Sequence, residues 1–137
     1  MNLSDKRIHH RVQCFNYPFE HDYIPMWVFT ANHGVAALVV NLSFSGIQLL
    51  TESDQPLLHP KYNLVFINEA DPEQSIHTSC QINLVWNDKS SSFYNTSGFT
   101  FDGNVENIIK TQLKKFHHGM QPYLRCELQE TSQYILN

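Results

Sequence analysis

Residues 78–86 read Thr-Ser-Cys-Gln-Ile-Asn-Leu-Val-Trp. Cys80, Ile82, Leu84 and Trp86 alternate with the polar Gln81 and Asn83, the period-two signature of a strand with one face in a core. On strict alternation those four side chains share that face. The same period puts Tyr62, Leu64 and Phe66 together in 61–67, and Phe93, Phe99 and Phe101 on one side of 93–101. Further strands are expected near 12–17, 26–32, 35–42 and 46–51. Turn chemistry separates them. Asn32-His33-Gly34 reads as a tight hairpin with Gly34 at positive φ, and Ser43-Phe44-Ser45-Gly46 as a second turn. Pro56 and Pro60 bracket a loop, Asp71-Pro72 marks another, and 87–92 is a polar hairpin tip.

One helix follows the strands. Val105, Ile108, Ile109, Gln112, Leu113 and Phe116 fall on one face at 3.6-residue spacing. Asn104 is the expected N-cap and Glu106 lies in the first turn. Lys114, Lys115, His117 and His118 crowd the last turn, and Gly119 is the stop. The period of 121–136 is ambiguous. Seven short strands and one amphipathic helix, without repeats or a dividing linker, predict a small antiparallel barrel with a helix packed on it.

Composition agrees. A chain of 137 residues is one domain's length, and 42% hydrophobic and 12% aromatic content is enough for a core. The longest apolar run, Val35 to Val40, is far short of the ~20 residues that cross a bilayer, and the first residues show no apolar leader, so no membrane insertion is expected. Three cysteines, Cys14, Cys80 and Cys126, form no CxxC and read as reduced, small apolar fillers in a cytoplasmic chain. The net charge is −4, but Lys6, Arg7 and Arg11 cluster ahead of the first strand on an otherwise acidic chain. That distribution suits a small anion and lacks the broad basic face of a DNA binder. Strands carrying aromatics without interleaved cations also argue against single-stranded nucleic acid.

Two short motifs carry the chemistry. Arg7-Ile8-His9-His10-Arg11 offers two guanidiniums, each a planar fork for phosphate or a guanine edge and a flat face for stacking. In Asn41-Leu42-Ser43-Phe44-Ser45-Gly46, Asn41 and Ser43 are two apart and present an amide and a hydroxyl together, with Leu42 and Phe44 opposite. Gly46 permits a close backbone approach. Adjacent histidines (His9-His10, His117-His118) point apart and suit chelation poorly, so no metal is expected. No GxSxG, HExxH, P-loop or GxGxxG is present, and no enzymatic activity is expected.

RxxxR followed about thirty residues later by [D/N]xSxxG resembles the PilZ domain, the bacterial receptor module for cyclic di-GMP. Here the pieces are Arg7 and Arg11, then Asn41, Ser43 and Gly46, with Trp86 ending a strand and Gly98-Phe99-Thr100-Phe101 entering the helix. The resemblance spans about residues 6–118. It implies a six-stranded antiparallel Greek-key β-barrel with a C-terminal α-helix: a ligand-clamp segment 1–12, a barrel at about 13–102, a helix at about 104–118 and a tail 119–137. It also implies a binding site outside the barrel, formed by Arg7, Arg11, Asn41, Ser43 and Gly46, with Lys6, His10 and Trp86 as further contacts. Lys6, just ahead of RxxxR, stands where a basic residue is associated with an intercalated ligand dimer. The expected function is a cyclic di-GMP receptor, monomer or homodimer, with no other cofactor. It would relay the messenger to a protein partner by ordering its N-terminal segment. The alternative is an adaptor of the same fold that works through protein contacts without nucleotide.

Overall fold

The computed structural model describes residues 11–15, 24–31, 33–69, 79–89, 92–117 and 123–131. Seven strands run in the order β1 (Val12–Gln13), β2 (Val35–Leu42), β3 (Gly46–Glu52), β4 (Lys61–Phe66), β5 (Ser79–Lys89), β6 (Tyr94–Phe101) and β7 (Arg125–Glu130). Helix α1 (Glu106–His117) lies between β6 and β7. All pairings are antiparallel, in the order β1-β2-β3-β6-β5-β4-β7, and β2 also pairs β7. That last pairing closes a six-stranded barrel, β2 to β7, with β1 as an extra strand. β4, β5 and β6 form a meander, and β3, joined to β4 by a connection that crosses the meander, lies beside β6, a Greek-key arrangement.

Inward side chains make one core. Ala37, Val39 and Leu42 from β2 meet Ile47, Leu49, Tyr62, Leu64, Phe66, Ile82 and Phe99, all buried. The helix behaves as its spacing predicts: Val105 and Ile109 are buried in this core, with Ile108, Leu113 and Phe116 packed against it. Asn104 Oδ1 accepts the Glu106 N–H at 3.0 Å, the expected cap. All three cysteines are interior or packed on the interior. Burial pushes the Cys14 thiol up to about 12 and the Cys80 thiol to about 11. Cys126 is also raised well above its ordinary value, by burial first and then by Cys80 and Cys14, against a lowering by Arg125. All three therefore stay protonated fillers.

Several expectations are corrected. The segment expected as a strand at 26–32 is instead a 3₁₀ turn, Met26–Phe29. It has no free ladder to join, because the remaining edge of β2 is taken by β7 over Val35–Leu38 and by β1 at Asn41 and Leu42. Val28 from this turn is fully buried on the outside of the barrel, in a second cluster with Phe15, Leu38, Val40 and Leu50. Without a hairpin there, Gly34 has no positive φ; among the described residues that conformation belongs to Gly103, at φ 89°. Gly34 is small for another reason, since a Cβ would collide with the Leu128 carbonyl of β7. Phe93 does not share the core with Phe99 and Phe101 but is 72% exposed at the hairpin end.

The barrel does not end near 102. Its sixth strand is β7, from the stretch expected to be a tail. Cys126 and Leu128 point inward, while Arg125 and Glu127 point outward and are nonetheless buried. Arg125 Nε and Nη2 donate to Glu69 at 2.6 and 3.0 Å, and Nη1 donates to the carbonyls of Trp27, Val28 and Thr30. Its guanidinium lies 5.2 Å from the Trp27 ring centroid. This one side chain fastens the 3₁₀ turn to the barrel wall.

Candidate functional site

Two β-bulges shape the outer face of β2, β3, β6 and β5. In β2 the register shifts between Val39 and Asn41, so Val40 is the extra residue. Continued alternation from Ala37 and Val39 would have sent Asn41 into the core. The bulge reverses the phase: Leu42 goes inside, fully buried, and Asn41 comes out. β2 also changes partner there. The Val39 N–H donates to the Leu124 carbonyl, whereas the Val40 carbonyl accepts from Cys14 and Phe15 N–H groups at 2.7 and 3.3 Å.

The second bulge lies in β5 between Leu84 and Trp86, with Val85 extra. It overturns the expectation that Trp86 shares the inner face of Cys80, Ile82 and Leu84. Leu84 packs against the core, while Val85 and Trp86 are 61% and 43% exposed. The two phase changes are in step. One outward rung therefore runs Gln13–Asn41–Gln48–Gly98–Trp86 across five strands. Strand spacing of about 4.8 Å puts the backbones of Asn41 and Trp86 roughly 14 Å apart along it.

A cleft of about 370 Å³ lies over this rung, within the size range of small-ligand sites. Arg11, Asn41, Ser43, Gly46 and Trp86 all line it, joined by Gln48, Gly98 and Thr100. Arg11 is the one ionisable side chain lining the cleft among the described residues. It is exposed, immediately before β1, and β1 reaches this place through its pairing with the end of β2. Lys6, Arg7 and His10 lie outside the described residues.

Each wall has a local cause. Ser43 is buried, and its Oγ accepts the backbone N–H groups of Ser45 and Gly46 at 3.3 and 3.2 Å, while the Ser43 N–H donates to the Gly46 carbonyl at 3.0 Å. The hydroxyl thus shapes the β2–β3 turn from within. Phe44 sits on this turn, 39% exposed, rather than in the core. Gly46 is required by β6, because a Cβ there would come within 2.8 Å of the Phe99 carbonyl. Gly98 is the floor. A Cβ on it would fall inside the Trp86 indole, so that ring lies directly on the Gly98 backbone. Asn41 Nδ2 donates to Gln48 Oε1 at 2.6 Å, fixing two amides side by side.

No family model matches this chain, and no curated protein or solved structure does. One cation, a row of amides, a hydroxyl-knitted turn and a half-exposed indole over a glycine floor form a surface for a planar, hydrogen-bonding anion. Gln48 and Gly98 are additions to the sequence-predicted set. Both left a trace: Gln48 is the polar residue inside the apolar run Gly46–Leu50, and Gly98 interrupts an aromatic strand.

Proposed function

We propose that this chain is a cyclic di-GMP receptor of the PilZ type, a cytoplasmic bacterial signalling protein rather than an enzyme. The observation that supports this reading is the meeting of Arg11, Asn41, Ser43, Gly46 and Trp86, drawn from four strand regions, around one cleft on the barrel's outer face. Cyclic di-GMP carries two phosphates and two purine rings. Arg11, with Arg7 four residues earlier, supplies forks for the phosphates and planes for stacking. Asn41 meets the donor edge of a guanine. Trp86 offers a π face to a base, an interaction of about 1–3 kcal/mol in nucleic-acid sites. Lys6 and His10 belong to the same basic arm, and closing that arm over the ligand would change the surface shown to a protein partner.

Isothermal titration calorimetry with cyclic di-GMP, with GTP as control, tests the reading. Saturable binding specific to the cyclic dinucleotide is expected, and its stoichiometry reports whether Lys6 accompanies a ligand dimer. Arg7→Ala and Arg11→Ala should each weaken binding about tenfold to several hundredfold, as loss of a charged hydrogen bond with its stacking implies. Wild-type affinity in both variants would refute the assignment. Hydrogen exchange at residues 2–12 should slow with ligand; no change would remove the ordering step. A chain that binds no cyclic dinucleotide would leave an adaptor that works through protein contacts.

A further inference from the structure

Phe15 lies four residues after Arg11 but does not line the cleft. Its ring is buried on the outside of the barrel, in the cluster of Val28, Leu38, Val40 and Leu50, with Tyr123 packed against that cluster. The ring centroids of Phe15 and Tyr123 are 6.2 Å apart, and Trp27 stands edge-on to Tyr123 at 5.7 Å. An aromatic row therefore runs from β1 to the 3₁₀ turn Met26–Phe29, where Met26 is 91% and Trp27 47% exposed. Between Arg11 and Phe15 the backbone is held by two rungs to β2 and by the Cys14 and Phe15 N–H groups on the Val40 carbonyl. Over so short an extended stretch, about 13 Å, the guanidinium and the phenyl ring are placed by one event, the seating of β1.

We infer that Phe15 is the positioning residue that couples the cleft to the Met26–Phe29 turn, so that a ligand gripping Arg11 also completes the apolar flank beside Trp27. The inference rests on the receptor reading above. The coupling is reciprocal. A ligand that favours seated β1 drives Phe15 into the outer cluster, and whatever weakens Phe15 in that cluster weakens the ligand. Arg125 holds the turn to the barrel wall in either case, through the Trp27, Val28 and Thr30 carbonyls. Phe15 decides the flank of the turn. With β1 seated, the cluster of Val28 and Tyr123 is covered; with β1 away, an apolar hollow would open near the exposed Met26 and Trp27. Cleft occupancy thereby selects which of two surfaces the turn shows.

Amide exchange of the full chain with and without cyclic di-GMP reads the coupling. The probes are the Val28 N–H, which donates to the Pro25 carbonyl, and the Thr30 N–H, which donates to that of Trp27. Ligand should slow both several-fold, while the Gln55 N–H, which donates to the Glu52 carbonyl in the β3–β4 loop, keeps its rate. In a Trp86→Phe background Trp27 is the single indole, and its emission should move to the blue at saturation. Phe15→Ala should abolish both responses at saturating ligand. It should also weaken cyclic di-GMP about tenfold, the affinity of a chain whose seated state has fallen to roughly one molecule in ten. Phe15→Leu keeps an apolar filler and should recover most of that affinity.

Binding of cyclic di-GMP with no change at Val28, Thr30 and Trp27, or wild-type affinity in Phe15→Ala, overturns the coupling while the receptor reading stands. A wild-type chain that binds no cyclic dinucleotide overturns the receptor reading and the coupling together. The contact route is decided without ligand. Phe15→Ala alone should speed exchange at Val28 and Thr30 and leave Gln55 unchanged, and the absence of that difference overturns the route itself.

Discussion

Gly98→Ala adds one methyl group, and the structure says where it must go: into the indole of Trp86. Either the ring or the strand has to yield. The strand is paired on both sides, with Gln48 and with Trp86's own backbone, whereas the ring is 43% exposed and free to swing outward. The ring should move. Lifting it re-exposes on the order of 50 Å² of aromatic surface, a loss of about 1.3 kcal/mol at 25 cal/mol per Å². Replacing a strand glycine returns about 0.5–1 kcal/mol through the unfolded chain. The two nearly cancel, so the urea midpoint should change little. Binding should not escape so lightly, because the stacking platform has left its place. A loss of about 1–3 kcal/mol corresponds to roughly fivefold to 150-fold weaker cyclic di-GMP. The assay is Trp86 fluorescence in a Trp27→Phe background, with parallel urea denaturation and calorimetry. If Gly98 acts through the indole, Gly98→Ala should cost nothing more once Trp86→Ala is present. An equal loss in both backgrounds, or an unshifted Trp86 emission, would refute the reasoning.

Arg125→Met should destabilise the fold by about 3 kcal/mol, because it strands Glu69 and three carbonyls of the 3₁₀ turn; urea denaturation should show the midpoint falling by roughly 1–2 M, and a loss below about 1 kcal/mol would speak against the fastening role. Ser43→Ala should cost about 1–2 kcal/mol of stability by removing the acceptor of two turn N–H groups, so thermal melting should register it as strongly as ligand titration does. The buried thiols predict an alkaline limit. Their folded values, raised to about 12 for Cys14 and about 11 for Cys80 from an ordinary 9.0, leave stability whole below pH 9 and erode it as pH rises from there through 11 towards 12. Cys14→Ala should flatten that decline in denaturant melts, and Ellman's reagent should reach the buried Cys14 and Cys126 only as fast as the native chain opens.

Much of the fold was legible because most of it obeys simple periods. Ile82 and Leu84, Tyr62 to Phe66, and the Val105–Phe116 stripe all pack where spacing placed them. The failures have definite causes. Residues 26–32 are apolar and aromatic like a strand, but their side chains fill an outer cluster, and pairing capacity on β2 was already spent. β7 alternates well enough, yet its outward Arg125 and Glu127 are buried by partners such as Glu69 and His33 that are remote in sequence. The site was legible as a set of residue types and not as geometry. Asn41 and Trp86 both stand where strict alternation turns them inward, and only a bulge upstream of each brings them out. A polar Asn41 in phase with Ala37 and Val39 was the sign available in the sequence. Gln48 was less visible, since its place beside Asn41 appears only when β2 and β3 are set in register.

The division of β2 between two neighbours has a thermodynamic consequence. β7 closes the ring on Val35–Leu38, and β1 occupies only the surplus beyond the bulge, at Asn41 and Leu42. Peeling β1 away breaks two rungs and no part of the six-stranded circuit. β1 can therefore open without opening the ring, and it is β1 that brings Arg11 to the cleft. Occupancy of the cleft then holds Val12–Phe15 closed by up to the factor 1 + L/Kd for free ligand L, the same ceiling by which it stabilises the whole fold, but from a far smaller opening free energy.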